Sequence, residues 1–398
     1  MVSRSWSFAF IPHSIAFGML SILVPLYFVE NLKGSILDFA YMSAISILFN
    51  ILSSVYMGRL PEKYGRTKPF ILLSFLLSGI LLFAMTRTSN LLLFQIFYVL
   101  LGITNSIYGP SIRMLIAETY EKDEWDRMFA WQNLIVGLSG TLGLAFCSIY
   151  APSLGYASLL AFCPPLVLVS LLLGFVSIND PPFYSERLMN RMSRAADEAE
   201  ALSYWLGSKG NPRTFGLRRD INMAFFGLGT AIFIMAGASA FTSLPIFLSG
   251  TVLMTSSTIF AIFFCRSLIG SISYLFIGRV MGSNGEKAVR VASLSRTLLV
   301  LSLISLSFLP WSATIVAIIL LSLLEVSWSM YAIGNSMVVM ENASGGSTGF
   351  YDALGNVGNV VGVLLSGAIP TIFSFNILFV MASALYLVGF VFFSKASG

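Results

Sequence analysis

Twelve long apolar runs limit what this chain can fold into. Each run has about the length that one helix needs to cross the hydrocarbon layer of a membrane. Of the 398 residues 57% are hydrophobic and only 10% are charged, whereas a soluble domain has roughly 25% charged residues. Sustained apolar/polar alternation is missing, which disfavours membrane strands and predicts membrane-spanning helices. The runs cover approximately residues 6–29, 36–57, 69–86, 91–117, 128–150, 154–178, 221–248, 252–277, 288–309, 312–339, 347–370 and 372–394.

The sequence also repeats itself across its midpoint. The nonapeptide GRLPEKYGR, which starts at Gly58, returns 220 residues later as GRVMGSNGE. The same offset aligns Pro25 with Pro245, and an offset of 223 aligns Ser106 with Ser329. A repeat of this length predicts one six-helix unit that occurs twice in the chain.

The longest polar stretch divides the two predicted units. We therefore predict an N-terminal six-helix bundle over residues 1–178, a linker over 179–220 and a C-terminal six-helix bundle over 221–398. Within the linker, apolar residues recur at helical spacing, which predicts an amphipathic surface helix that lies on lipid as a tether or serves as a regulatory docking site. These residues are Leu188, Met192, Ala195, Ala199 and Leu202.

The distribution of basic residues predicts the orientation in the membrane. With the amino terminus in the cytoplasm, 18 of the 23 Lys and Arg residues fall on the cytoplasmic side, so both termini are expected there. We expect a multi-pass protein of the cell membrane in contact with lipid. This basic bias and the anionic lipid headgroups account for the net charge of +5, so no nucleic-acid partner is expected.

The polar loop between the second and third runs resembles the signature loop of the major facilitator superfamily, with Glu62 where the family has Asp. The resemblance implies an all-helical fold with twelve transmembrane helices, two six-helix bundles related by a pseudo-twofold axis, and a central site that opens alternately to each side. It also implies that the loop and an acidic and basic pair after the fourth run latch the outward-facing state. The implied gating residues are Gly58, Arg59, Glu62, Gly65, Arg66, Lys68, Glu118 and Arg127. The alternative is that these loop charges only fix the orientation of the chain in the membrane.

Two departures from family patterns and one loose likeness narrow the function that the resemblance implies. The arginine of the family's fourth-span pattern would fall at Tyr98, so the sequence lacks the support that this motif would give to proton coupling. The fifth run lacks the proline of the antiporter signature, which weakens the case for drug/proton exchange. The loop NDPPFYSER, beginning at Asn179, loosely resembles the corresponding loop of sugar porters, so a sugar stays one candidate substrate among several.

Two charged residues lie deep within predicted spans. At about 1.5 Å per residue, Arg266 is roughly 18 Å and Glu325 roughly 24 Å from the cytoplasmic ends of their helices. Charged side chains at that depth need a partner or a water-filled cavity. We predict that Arg266 binds an anionic or hydroxylated solute and that Glu325 carries a proton. The alternative is a structural salt bridge that never contacts substrate.

The remaining site candidates are polar or aromatic residues within spans. His13 is the only histidine and titrates near neutral pH in water, so it is a second candidate for proton coupling, with a packing role as the alternative. Further substrate-binding candidates also fit a role in packing between helices. They are Asn105, Gln132, Tyr331 and Asp352.

Enzyme signatures and metal-spaced His or Cys clusters are missing from the sequence, so we expect neither an enzyme nor a cofactor. The leading hypothesis is a monomeric secondary transporter that moves a small polar organic solute, a sugar or an organic anion, by alternating access, with protons as a candidate coupling ion. Efflux of lipophilic drugs is the first alternative. A membrane sensor or scaffold that transports nothing is the second.

Overall fold

The computed structural model describes residues 4–57, 64, 66–120, 124–179, 221–280, 284–309, 312–342 and 348–396. All regular elements in these residues are helical. Two are short 3-10 helices, Arg4–Ala9 and Leu303–Ser307. The α-helices are α1 Phe10–Glu30, α2 Ile36–Met57, α3 Lys68–Arg87, α4 Leu91–Thr119, α5 Trp125–Ser177, α6 Met223–Phe241, α7 Leu244–Gly250, α8 Ser256–Val280, α9 Gly285–Ser302, α10 Ala313–Asn342, α11 Thr348–Ile372 and α12 Phe375–Ala396.

The longest helix, α5, contains two membrane crossings. Its 53 residues would extend about 80 Å as one straight rod, more than twice the roughly 30 Å of a bilayer core. At Gly155 the backbone leaves the helical conformation, with φ 70° and ψ 167°. Glycine adopts this conformation without the steric cost of a Cβ. The bend divides α5 into a first and a second arm, which correspond to the predicted fifth and sixth spans.

The predicted seventh span is broken near its end. The sequence predicted one helix over residues 221–248, whereas α6 ends at Phe241 and α7 begins at Leu244. Pro245 lies in the first turn of α7, where its missing N–H group is tolerated, and it disfavours helical backbone immediately before it. Its repeat partner Pro25 lies inside the continuous helix α1. Counting α6 and α7 as one crossing and α5 as two, the described residues cross the membrane twelve times.

The same helix pairs recur in the two halves. In the first half α1 packs along the first arm of α5, α2 along α4, and α3 along both α4 and α5. In the second half α6 packs along α11, α8 along α10, and α9 along both α10 and α12. The chain thus forms two six-helix bundles with matching internal arrangement, as the sequence repeat predicted.

Small residues allow a close helix crossing in each bundle. A Cβ at Gly18 in α1 would lie 2.7 Å from the carbonyl carbon of Gly140 in α5. In the second bundle a Cβ at Gly358 in α11 would lie 2.9 Å from the carbonyl carbon of Ala231 in α6. Backbones approach this closely only where side chains are small, as is common between helices in membranes.

The two bundles meet along two helix pairs, α2 with α11 and α5 with α8. We call the side of the molecule where α1 begins and α12 ends the terminal face, and the other side the opposite face. The predicted amphipathic helix between Leu188 and Leu202 lies outside the described residues, as does most of the signature loop that begins at Gly58.

Candidate functional site

A cavity of about 1200 Å³ lies between the two bundles. Both halves of the chain supply its walls, through α1, α2, α4 and α5 on one side and α6, α7, α8, α10 and α11 on the other. Charged, hydroxyl, amide and aromatic groups project into it among apolar side chains. The polar lining residues are Ser21, Ser43, Tyr98, Arg127, Trp131, Asn133, Thr242, Arg266, Ser267, Ser271, Tyr274, Glu325 and Asn359.

The cavity extends toward the terminal face. Its lining on α5 runs from Arg127, near the terminal-face start of that helix, to Leu144. These residues are separated by roughly 26 Å along the helix. Arg127 is exposed to solvent. A solute that enters from the terminal face therefore reaches the middle of the molecule.

Hydrogen bonds between the bundles close the cavity toward the opposite face. Glu30, the last residue of α1, accepts a hydrogen bond from Ser249 Oγ in α7. Within the first bundle, the Tyr156 hydroxyl, next to the bend in α5, donates to the same Glu30 oxygen at 3.4 Å and helps to position it. Farther along the interface, Ser257 Oγ donates to the Ser148 carbonyl. We call Glu30, Tyr156 and Ser249 the opposite-face latch.

An ion pair lies on the cavity wall formed by the second bundle. Arg266 Nε donates to Glu325 Oε2 at 2.8 Å, and the two side chains are 22% and 18% exposed. Arg266 is near the middle of α8, and Glu325 near the middle of α10. The Arg266 guanidinium carbon also lies 5.1 Å from the centre of the Phe241 ring, a favourable cation–π distance.

The ion pair leaves part of each side chain available to a solute. Among the described residues, neither Nη atom of Arg266 has a hydrogen-bond acceptor, and Oε1 of Glu325 has no donor. The two Nη groups of arginine form a planar fork that matches carboxylate geometry, and the free oxygen accepts a hydroxyl or ammonium group. The wall can therefore bind an acidic group and a neighbouring donor at once.

The wall formed by the first bundle carries rings and an amide instead of an ion pair. Tyr98 from α4 lines the cavity together with Trp131 and Asn133 from α5. Trp131 Nε1 donates to Ser7 Oγ at 3.3 Å. Aromatic faces provide stacking surfaces and the amide provides directional hydrogen bonds, so this wall suits an organic solute with both apolar and polar parts.

The other predicted substrate-binding residues lie elsewhere. Gln132 is buried, because the lining stripe of α5 is centred on Leu134 and Gln132 lies about 160° around the helix from it. Tyr331 is 3% exposed, stacked on Phe233 with ring centres 3.8 Å apart. Asn105 is half-buried in α4 and absent from the lining. Asp352 belongs to α11, but its side chain lies outside the described residues.

His13 lies inside the first bundle and off the cavity. It is 4% exposed, and its ring centre lies 4.3 Å from that of Phe17 and 5.0 Å from those of Phe75 and Tyr108. The Nε2 atom has no hydrogen-bond partner among the described residues. These surroundings fit the packing alternative for His13.

The described gating residues lie near the terminal face. Lys68 begins α3, and its Nζ donates to the Phe175 carbonyl at 2.7 Å. Arg66 is exposed, Glu118 is half-buried near the end of α4, and Arg127 lines the cavity. Their gating role stays a prediction. Four of the predicted gating residues lie outside the described part of the chain: Gly58, Arg59, Glu62 and Gly65.

Most polar lining residues were not among the candidates drawn from the sequence; they include Tyr98, Trp131, Tyr274 and Asn359. A helical-wheel argument finds one of them. Tyr274 follows Arg266 by eight residues and Gly270 by four, so the three lie on one face of α8. The rotation of α4 and α11 about their axes depends on packing, so hydropathy gives no comparable signal for the residues on those helices.

Comparison with protein families gives one broad match. The model described as Major Facilitator Superfamily matches residues 6–350 of this chain. The uncharacterized MFS-type transporter YhjO of Bacillus subtilis (strain 168) is 28% identical over 130 residues. That alignment spans 33% of this chain and 32% of the relative, so the chain aligns with about a third of the relative's length.

Several solved structures share the fold over nearly the whole length. The nucleoside transporter NupG has a TM-score of 0.70 at 12% identity and covers 98% of both chains. The xylose transporter XylE from E. coli has a TM-score of 0.69 at 12% identity and covers 99% of both. The human organic anion transporter MFSD10 (TETRAN) has a TM-score of 0.62 at 16% identity and covers 98% of both. With twelve crossings in two matching bundles and a family match over most of its length, the chain belongs to the major facilitator superfamily of transporters.

Proposed function

We propose that this protein is a secondary transporter for a small polar organic solute, a sugar or an organic anion, which binds in the cavity between the bundles. The observation that carries the proposal is the ion pair of Arg266 and Glu325 on the cavity wall, with its Nη groups and one carboxylate oxygen available. The fold neighbours named for nucleoside, xylose and organic anion transport are compatible with a polar substrate.

Arg266 is the substrate-binding group in this proposal, and Glu325 is the proton carrier. Protonation of Glu325 removes its charge and weakens its hold on Arg266, which frees the guanidinium group for the solute. Binding of an acidic solute to Arg266 competes with Glu325 in the same way. Protonation of Glu325 and binding of the solute are therefore coupled through the hydrogen bond between Arg266 and Glu325. His13 is enclosed by aromatic rings away from the cavity, and we assign it no part in proton transfer.

The proposal places the terminal face in the cytoplasm of a cell, in agreement with the basic residues at that face. The structure then represents a state open to the cytoplasm, closed on the other side by the opposite-face latch of Glu30, Tyr156 and Ser249. Transport requires the latch to break while the terminal-face ends of the bundles approach each other. We propose that the signature loop stabilises that second state.

Efflux of lipophilic compounds is the second candidate function. The rings of Phe39, Phe241 and Phe263 line the cavity beside the polar groups. Such a wall accommodates apolar compounds, which an ion pair alone would not attract.

A thermal-shift screen of the purified protein separates the candidates. The panel contains sugars, carboxylates and cationic drugs, each at two pH values. A ligand that binds only the folded state raises the melting temperature, and the rise grows with the logarithm of its concentration once that exceeds Kd. The proposal expects stabilisation by a sugar or a carboxylate that is lost in Arg266→Ala. Stabilisation only by cationic drugs, unchanged in Arg266→Ala, would favour efflux and contradict the proposal.

A further inference from the structure

A second arginine lies behind the cavity wall and does not line it. Arg296, in α9, is 2% exposed. Its Nε donates to Ser327 Oγ at 3.1 Å, its Nη1 to the Tyr386 hydroxyl at 2.6 Å, and its Nη2 to the Leu324 carbonyl at 2.8 Å. A long side chain at this position can also reach the headgroup region, so full burial does not follow from the sequence alone.

The partners of Arg296 carry no formal charge. Its three hydrogen-bond acceptors are a hydroxyl, a phenol and a carbonyl. Its guanidinium carbon also lies 5.2 Å to 5.5 Å from four ring centres, and among the described side chains it pairs with no carboxylate. Aromatic faces offset part of the cost of burying a cation, but they do not neutralise it. The four rings belong to Phe233, Phe241, Trp328 and Tyr386.

Arg296 is electrostatically connected to the ion pair on the wall. Two of its partners, Leu324 and Ser327, flank Glu325 on α10. The Phe241 ring contacts both arginines, 5.1 Å from the guanidinium carbon of Arg266 and 5.4 Å from that of Arg296. The two carbons therefore lie no farther apart than about 10.5 Å, the sum of those distances. At that separation in a protein interior, charges influence each other appreciably.

The described part of this region holds two arginines and one glutamate, which leaves one positive charge without a counter-charge. We infer that Arg296 is a specificity-determining residue that makes the binding wall net positive, so that the site selects a monoanionic organic solute, such as a small carboxylate, over its neutral analogues. The inference rests on the proposed function and narrows its substrate class. While Glu325 is ionised, a carboxylate on the free Nη groups of Arg266 balances the excess charge, whereas a sugar leaves it unbalanced; protonation of Glu325 makes the wall more positive still.

Matched solute pairs test the inference in proteoliposomes. Each pair joins a carboxylate with a neutral counterpart of similar size: lactate with lactamide, gluconate with glucitol, and glucuronate with glucose. The readout is the ratio of carboxylate to neutral flux, which a merely structural role of Arg296 would leave unchanged. We expect the wild-type protein to prefer at least one carboxylate by about tenfold or more, on the scale of charges about 10 Å apart at an effective dielectric constant of about 20.

Three variants separate charge from structure. Arg296→Gln removes the charge, and we expect the carboxylate preference to fall roughly tenfold. Arg296→Lys keeps the charge and should retain the preference. Tyr386→Phe removes one hydrogen bond to Arg296 but no charge, so it should lower the melting temperature and leave the flux ratio unchanged.

Two results would overturn the inference: a wild-type preference for the neutral member of every transported pair, or a preference that survives in Arg296→Gln. If Arg296→Gln does not fold, the flux ratios of the wild-type protein and of Arg296→Lys still test the inference. Both must then show the carboxylate preference. Failure of the proposed function looks different, because then no member of any pair, charged or neutral, crosses the membrane.

Discussion

Gly270 lies directly against the side chain of Glu325: a Cβ at Gly270 would be 2.5 Å from Glu325 Cγ. The repeat offsets of 220 and 223 place Gly270 on Asn50 and Glu325 on Gly102. At this crossing in the first bundle the large residue, Asn50, stands where the second bundle has glycine, and glycine stands where it has Glu325. Asn50 Nδ2 donates to the Gly102 carbonyl at 2.8 Å. The same helix crossing thus holds a large residue on opposite helices in the two bundles, which makes room for an acid in the second bundle alone.

Substitution of Gly270 by alanine should displace Glu325 and weaken its hydrogen bond to Arg266. Overpacking of a filled site costs about 1–3 kcal/mol in the free energy of unfolding. We therefore expect Gly270→Ala to lower the melting temperature and to reduce solute flux. Melting of the purified protein and flux in proteoliposomes measure the two effects.

Gly109→Ala is the matched control for that substitution. Gly109 also lies inside a long helix, but a Cβ there would have no neighbouring heavy atom within 4 Å. Alanine favours a helix over glycine by up to about 1 kcal/mol. The control should therefore melt at the same temperature or slightly higher, with unchanged flux. Equal behaviour of both variants would contradict the packing account of Glu325.

The pH dependence of transport should depend on Glu325. Glu325→Gln keeps a side chain of the same shape but cannot gain or lose a net proton near neutral pH, so solute uptake should no longer respond to a pH gradient. The exchange of unlabelled for labelled solute should persist, because binding through Arg266 remains. Uptake measured with and without an imposed pH gradient tests this directly, and a gradient response equal to that of the wild-type protein would contradict it.

His13 should be dispensable for that response. Replacement by leucine puts an apolar side chain of similar size among the surrounding rings, and the backbone N–H of residue 13 still donates to Ser170 Oγ. Because Nε2 has no partner among the described residues, no side-chain hydrogen bond is lost there. We expect the unfolding free energy to change by less than about 1.5 kcal/mol. A transport pH profile that shifts in His13→Leu would return His13 to the proton pathway.

The opposite-face latch should set the balance between the two open states. Glu30→Ala removes the acceptor of the bond from Ser249 in the other bundle, whereas Tyr156→Phe removes only the 3.4 Å bond to Glu30 within the first bundle. Hydrogen bonds to charged groups contribute about 1.5–3 kcal/mol, and each 1.4 kcal/mol changes a population ratio tenfold. Glu30→Ala should therefore favour opening at the opposite face more strongly than Tyr156→Phe does.

Spin labels placed on the two bundles at the opposite face measure that opening. Exposed positions for cysteine substitution are Ser153 in α5 and Leu253 after α7; the native Cys147 and Cys163 are buried, and the half-buried Cys265 is replaced by serine in every labelled variant. The distance distribution between the labels should shift to longer values in Glu30→Ala. An unchanged distribution would show that the latch does not hold this face closed.

Much of the architecture could be predicted from the sequence because span length follows from membrane thickness. The apolar runs located the helices, and the repeat indicated two matching bundles. Counting residues from the helix ends placed Arg266 and Glu325 at similar depths, and their side chains meet at 2.8 Å. The break before Pro245 was not predicted. Its repeat partner Pro25 lies inside the continuous helix α1, so a proline at this position does not by itself break the helix.

The direction in which individual side chains point was harder to predict from the sequence. Depth along a helix follows from its fixed rise, but rotation about its axis depends on what packs against it. For that reason Gln132 and Tyr331 were expected in the cavity and lie inside their bundles, whereas Trp131 lines the cavity. The burial of Arg296 depends on partners from α10 and α12, which no local pattern connects to it.

Solute flux in proteoliposomes tests the central claim most directly. The wild-type protein, Arg266→Ala and Gly109→Ala are compared over one panel of labelled carboxylates and sugars. We predict that the wild-type protein and Gly109→Ala move the same solute at similar rates and that Arg266→Ala, although folded, moves it at least about tenfold more slowly, as expected for loss of a charge-assisted hydrogen bond. Equal flux through folded Arg266→Ala and wild-type protein would contradict the assignment of the binding site.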